Sequence, residues 1–174
     1  SHYGVNILTN SGGANIRVNR KSINFSMGGT ISHAAFLQKD LRQDTSLSYV
    51  YLNLFPRANF NWTIKPQTRL SIRYNGSTRQ PTIEQLQPLN DNSDPFFERK
   101  GNPDLKQEFN HNIELNFSDF KVLGNRSIYG YLDFTTTTNA ISTNDQIVAS
   151  GKRISQPYNV SGNYSYISYL GYGF

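Results

Sequence analysis

Two stretches of strict alternation, Leu70 to Asn75 and Asn110 to Phe117, are joined by a connection far longer than neighbouring strands require. Going in, Leu70, Ile72 and Tyr74 share one face while Ser71, Arg73 and Asn75 share the other, the period of two of a half-buried strand. Coming out, His111, Ile113, Leu115 and Phe117 alternate with Asn110, Asn112, Glu114 and Asn116. Between them, Arg79 to Gln107 is rich in Pro, Asn and Asp, a composition of turns and loops. Antiparallel neighbours are ordinarily joined by a few residues, so a connection this long has to serve something other than sheet geometry.

The rest of the chain repeats the asymmetry. Short turns fall near residues 20, 66 and 123, and long connections near 42, 95 and 147, so one side of the sheet carries all the short ones. The reading is an all-β chain, an antiparallel meander of about seven or eight long strands. Ala14 to Arg20 and Ser22 to Gln38 flank an Arg20-Lys21 turn, and Tyr3 to Ile7 is either a separate strand or the start of one long kinked strand. Tyr49 to Ile64 is the clearest membrane strand. Leu52, Leu54, Pro56, Ala58, Phe60, Trp62 and Ile64 lie on one face, opposite Tyr51, Asn53, Arg57, Asn59, Asn61 and Thr63. It is long enough for a tilted crossing, which takes about 9–11 residues. Pro56 is expected to mark a bulge or kink. After the long loop, Glu108 to Phe120 and Ser127 to Ile141 are read as strands, Asn144 to Arg153 as a second long loop, and Ile154 to Tyr169 as the returning strand. Outer-membrane barrels pair short turns on one side with long loops on the other, as this pattern does.

Composition agrees. Only 36% of the 174 residues are hydrophobic and mean hydropathy is -0.57, as expected of a barrel whose lumen-facing half is wet. No apolar run approaches the roughly 18 residues of a transmembrane helix. Ser1 to Asn10 lacks the charged start and apolar core of a signal peptide. The absence of Cys fits an exported bacterial protein. The net charge of +5 is scattered rather than gathered into a stripe, so no nucleic-acid partner is indicated.

The long loop also carries wording. Arg79-Gln80-Pro81, Gln85-Leu86-Gln87-Pro88, Asp94-Pro95 and the run Gly101-Asn102-Pro103-Asp104-Leu105-Lys106 with Glu108 resemble the barrel region of TonB-dependent outer-membrane receptors. Within these the chain is most similar to the outer-membrane β-barrel proteins of Bacteroidetes-type bacteria. Pro157-Tyr158-Asn159-Val160-Ser161-Gly162 resembles the opening of another strand of the same proteins, and the likeness covers Ser48 to Tyr164.

The resemblance implies part of a large transmembrane barrel in the bacterial outer membrane. Such barrels have about 22 strands around a plug, so residues 1–174 would be a single barrel segment, without the plug. It implies uptake of a nutrient, outer-membrane lipid around the wall, contact with the rest of the barrel and the plug, and a periplasmic TonB-type energy-coupling protein acting through that plug. Arg79 to Gln107 would be a surface loop. Arg57, Asn59, Asn61, Arg73, Asn75, Asn112 and Glu114 would face the lumen, against the plug or along the solute path. The last strand, Tyr164 to Phe174, alternates and ends on Phe like those that barrel proteins present for assembly, although family members normally continue beyond this point; a piece of a longer barrel is the expectation.

Other constellations have duller readings. Seven Asn-x-Ser/Thr sequons, at Asn24, Asn61, Asn75, Asn116, Asn125, Asn159 and Asn163, lie mostly inside strands, where Asn and the residue two positions on share one polar face. Asp91, Asp94, Glu98 and Asp104 offer oxygen for calcium but no twelve-residue loop pattern, and solvated turn carboxylates are the simpler reading. Glu84 and Glu108 have nothing to fix them as an acid and base pair, and His2, His33 and His111 are too scattered for a metal. No nucleophile elbow or phosphate-binding glycine loop occurs, so neither an enzyme nor a cofactor is expected. Two alternatives stay open. One is a soluble extracellular β-sandwich that binds carbohydrate or protein through Trp62 and Tyr129; the other is a passive outer-membrane pore.

Overall fold

The computed structural model describes residues 3–40, 45–87 and 94–174. Seven strands follow one another as an antiparallel meander: β1 (Tyr3–Asn19), β2 (Ile23–Asp40), β3 (Thr45–Lys65), β4 (Thr68–Arg79), β6 (Glu108–Lys121), β7 (Arg126–Thr138) and β10 (Asn163–Gly173). The remaining strands, β5 (Phe97–Arg99), β8 (Ala140–Ile147) and β9 (Arg153–Val160), form a smaller sheet in the order β5-β9-β8. A four-residue helix α1 (Ile83–Leu86) precedes β5. The chain divides into two compact units, residues 1–77, 111–134 and 166–174 in the first, and 78–110 and 135–165 in the second.

In the first unit, register turns the alternation read from sequence into two continuous faces. Val18, Phe25, Phe60 and Ile72 form one row across β1 to β4, and Ile16, Met27, Ala58 and Tyr74 the next. On the opposite face Arg17, Ser26, Asn59 and Arg73 align. The apolar rows are not buried: Ile16 is 65% exposed, Met27 53% and Leu52 55%. In water each such side chain forgoes about 1.5–3 kcal/mol of burial, so the face belongs against hydrocarbon. The described residues buried as hydrophobic core are Ala34, Leu86, Leu105 and Ala140, with none of the long rows among them. A sandwich would have buried those rows between two sheets.

Of the two readings of the start, the single strand holds: β1 runs from Tyr3 to Asn19. Near residue 42 no long loop separates the strands, because β2 and β3 stay paired up to Asp40 opposite Thr45. Pro56 makes no bulge in the β2–β3 ladder, where it sits opposite Gly29 without a register shift; the irregularity in the β3–β4 ladder lies between Thr63 and Lys65. The strand read as Ser127 to Ile141 is broken at Asn139, whose φ of 53° takes the chain out of extended geometry. The strand read as Ile154 to Tyr169 is broken at Gly162, with φ of 83°. Between these breaks the supposed loop is a hairpin of β8 and β9, turned at Val148 to Lys152 with Gly151 at φ 79°. The long loop is likewise not structureless. Thr82 and Gln85 form a capping box around α1, the Thr82 hydroxyl accepting from Gln85 N and the Gln85 carbonyl from Thr82 N.

Candidate functional site

The polar face of the first unit gathers the residues expected to line a lumen. Arg57 stands opposite Asn75, and Asn59 opposite Arg73. Arg73 donates to Glu114 at 3.1 Å, and Asn116 donates to the other oxygen of Glu114 at 2.7 Å. Asn112 donates to Asp133 at 2.9 Å, and Asn59 reaches Ser26 at 3.4 Å. The five lumen candidates, Arg57, Asn59, Arg73, Asn112 and Glu114, thus share one face of the sheet, two of them as an ion pair.

The same face holds Asp133 and Tyr169, which sequence reading passed over, together with Tyr129, named there only as a sandwich platform. Asp133 of β7 extends the polar network, and Tyr129 and Tyr169 are joined hydroxyl to hydroxyl at 2.9 Å. The Tyr129 ring lies over Gly171, whose missing side chain makes room for it: a Cβ there would meet the ring at 2.1 Å. Between the C-terminal half of β2 and the N-terminal half of β3, Phe36 packs edge-on against Tyr51, with Tyr49 stacked beside it. The alternation that places these rings on the polar face was visible; their mutual contact depends on cross-strand register.

The second unit, called the cap for its place in the chain, is built from the two long connections and the strand ends that flank them. β5 from one connection pairs in parallel with β9 from the other, Phe97 opposite Arg153 and Arg99 opposite Ser155. The motif Gly101 to Glu108 is the junction. Gly101 O accepts from Gln156, Asn102 donates to Pro157 O at 3.0 Å, and Lys106 N donates to Asn159 at 2.8 Å. Asn159 in turn donates to Lys106 O and Asn139 O. Leu105 and Leu86 fill the small core, and Glu108, 5% exposed, accepts from both Arg79 and the Ile141 amide. The three separated motifs, at Arg79, at Gly101 to Glu108 and at Pro157 to Asn159, therefore meet in one hydrogen-bonded knot.

Ion pairs knit the outer part of the cap. A hydrogen bond from Lys152, at 3.0 Å, reinforced by the charge of Lys100, holds the Glu98 carboxyl below its ordinary range. Hydrogen bonds from Arg153 and then Ser155 do the same for Asp145. The carboxylates weighed for calcium are dispersed. Glu98 faces lysines, Asp94 accepts from Phe96 N at 2.8 Å, Asp104 N donates to Asn102, and Asp91 lies outside the described residues. Glu84 sits in α1 and Glu108 in the knot. His111 contacts the Tyr74 hydroxyl at 3.0 Å, His33 lies opposite Leu52, and His2 is outside the described residues.

Long strands with one greasy and one polar face, joined in sequence order as an antiparallel meander, are what a membrane barrel wall requires. The sequence profile of the Outer membrane protein beta-barrel family matches residues 2–174. The chain belongs to that family. Its place is the outer membrane, and as an outer-membrane β-barrel protein it has lipid, not a second sheet, against its apolar rows. The soluble sandwich reading is thereby set aside.

Among solved structures the chain is similar to the siderophore receptor PirA from Pseudomonas aeruginosa, with a TM-score of 0.50 and 13% identity over 98% of this chain and 39% of that one. It is also similar to the FrpB iron transporter from Neisseria meningitidis, with a TM-score of 0.44 and 18% identity over 94% of this chain and 22% of that one. A mutant of the ferric enterobactin receptor PfeA from Pseudomonas aeruginosa gives 0.47 and 14% over 97% and 33%. At these identities the likeness to PirA is one of fold. The outer-membrane chain described here spans 39% of that receptor's length. No curated protein sequence matches it.

Proposed function

We propose that this chain is a section of the wall of a nutrient-uptake receptor in the outer membrane, driven by a periplasmic TonB-type protein through a plug held in the lumen. The observation that supports it most is the division of connections. The connections after β1, β2, β3 and β6 are short, whereas those after β4 and β7 are long and fold together into one sheet. A wall that only conducted solute would need no such built structure; a receptor needs a structured outer surface to capture its cargo. In this reading residues 1–174 are one wall segment, and β1 and β10 at the two margins of the sheet pair with further strands, because hydrocarbon tolerates no open sheet edge. Arg57, Asn59, Arg73, Asn112 and Glu114 face the plug or the solute path. The cap lies on the outer side.

A planar-bilayer recording on the full-length protein that contains this chain separates the receptor from the passive pore. The expected result is no steady ion conductance, since a plug closes the lumen at rest. Stable open channels without any energy-coupling partner would contradict the proposal.

A further inference from the structure

At the short-turn end of β4, β6 and β7 the sheet carries a recess of about 530 Å³ whose lining includes Lys65, Gln67, Thr68, Asp119, Lys121 and Arg126. Alternation places it. Thr68 shares a face with Leu70 and Ile72, Asp119 with Leu115 and Phe117, and Arg126 with Ile128 and Leu132, so the recess begins one row beyond the last apolar side chains of the lipid-facing side. Leu70 stands opposite Trp62, an aromatic of the kind that marks the membrane surface. β4, β6 and β7 are interior strands with a neighbour on either side, so no further strand is needed to complete the recess.

Its charges are uneven. Among the described residues that line it, three are cations, Lys65, Lys121 and Arg126, and one is a carboxylate, Asp119. Asp119 is already engaged, because the hydroxyl of buried Thr68 donates to it at 2.6 Å. Neither Lys65 nor Lys121 has an ion-pair partner among the described residues. The Arg126 guanidinium is the least satisfied group. Its Nε is buried with no hydrogen-bond partner among the described residues, and its Nη2 stops 4.0 Å from Asp119, beyond hydrogen-bond reach. Buried donors are nearly always paired. Nε and Nη2 form one edge of the guanidinium, a fork that takes two oxygens of a phosphate at once.

We propose that this recess binds the phosphate of one phospholipid headgroup, with Arg126 turned to grip it through Nε and Nη2 while Lys65 and Lys121 add charge. A phospholipid is the source because the family places this wall in the outer membrane, and the recess sits where the apolar rows end and headgroups begin. The three cations outweigh Asp119, so the recess attracts an anion. In the proposed barrel, plug and cargo lie across the wall on the opposite face. The site does not depend on what the barrel transports.

The test uses the full-length protein in a neutral maltoside micelle with phosphatidylethanolamine whose amine carries a diazirine through an amide, which leaves the phosphate as its one charge. After illumination, cross-linked residues are read by mass spectrometry. The expected result is cross-linking concentrated at residues 65–68 and 119–126 that falls about tenfold in Arg126→Gln. It is expected to stay unchanged in Lys21→Gln, which removes one charge from another short turn, between β1 and β2. Unlabelled phosphatidylglycerol should displace the probe, and inorganic phosphate at the same concentration should not. No loss in Arg126→Gln, or an equal loss in both variants, would overturn the proposal; the second would reduce the site to general surface charge. Displacement by inorganic phosphate as effective as that by lipid would also overturn it, assigning the recess to a free anion. Should Arg126→Gln misfold, Lys121→Gln, at an exposed side chain, is the second variant, and the same localised fall is expected.

Discussion

Alanine at Gly28 is expected to prevent β1 from docking on β2. Its Cβ would lie 2.3 Å from Ala14 O and 2.7 Å from Asn15 Cα, and both are backbone atoms of a strand that is hydrogen-bonded along its whole length. Relief requires the two backbones to part, so the cost lies at or above the top of the usual overpacking range of about 1–3 kcal/mol. In a closed barrel β1 links β2 to the next part of the wall, so parting the two strands opens the wall between them. The amount of folded, heat-modifiable protein in isolated outer membranes measures the effect. A large drop is expected for Gly28→Ala, whereas Gly12→Ala, which meets open space, is expected to fold at least as well as the parent. Equal yields for the two variants would show that the β1–β2 approach is not as close as described.

The second large effect is expected in the cap. Glu108→Ala removes the carboxylate that joins Arg79 at the end of β4, its own strand β6, and Ile141 in β8. Most of the cost comes from the Ile141 amide, left without its acceptor at a site largely closed to water, and amounts to about 1–3 kcal/mol. Arg79, with its side chain 72% exposed, contributes little. Hydrogen exchange reads this directly. Protection across the β8–β9 hairpin should fall roughly 10- to 100-fold, at about 1.4 kcal/mol per tenfold, while exchange in β2 and β3 stays unchanged. Unaltered protection at Ile141 would mean that the carboxylate is not the clasp of the hairpin.

The two effects differ in how far the sequence announced them. Alternation in β2, β3, β4 and β6 was plain because a residue at i and another at i+2 share a face whatever the partner strand does, and this sufficed for the meander and for the polar row of Arg57, Asn59, Arg73, Asn112 and Glu114. Breaks in direction were not plain. Asn139 bends the chain through a positive φ that asparagine tolerates but does not announce, so β7 and β8 looked like one strand. Gly162 was visible as a glycine, yet only the pairing of β9 with β5 shows that the chain changes sheets there.

The motifs at Arg79, Gly101 to Glu108 and Pro157 to Asn159 were recognised by their wording, with no physical reason attached. The structure supplies one: each provides a donor, an acceptor or a turn to a knot between segments 29 to 55 residues apart, and contacts of that kind have no periodicity to betray them. Gly28 was likewise legible only as a small residue on an alternating strand. Its necessity comes from how closely β1 approaches, which no single strand encodes.

β3 presents one face to lipid and, in the proposed barrel, the other to an aqueous lumen. The chain contains no cysteine, so nitroxide labels can be placed on single cysteines substituted in turn at each position from Tyr51 to Ile64 in the reconstituted full-length protein. Collision with oxygen, which concentrates in hydrocarbon, and with a water-soluble nickel complex then reports the surroundings of each position. The account predicts strict alternation, with oxygen dominating at Leu52, Leu54, Ala58 and Phe60 and the nickel complex at Asn53, Arg57, Asn59 and Asn61. Oxygen maxima at the second set, or no alternation at all, would contradict it.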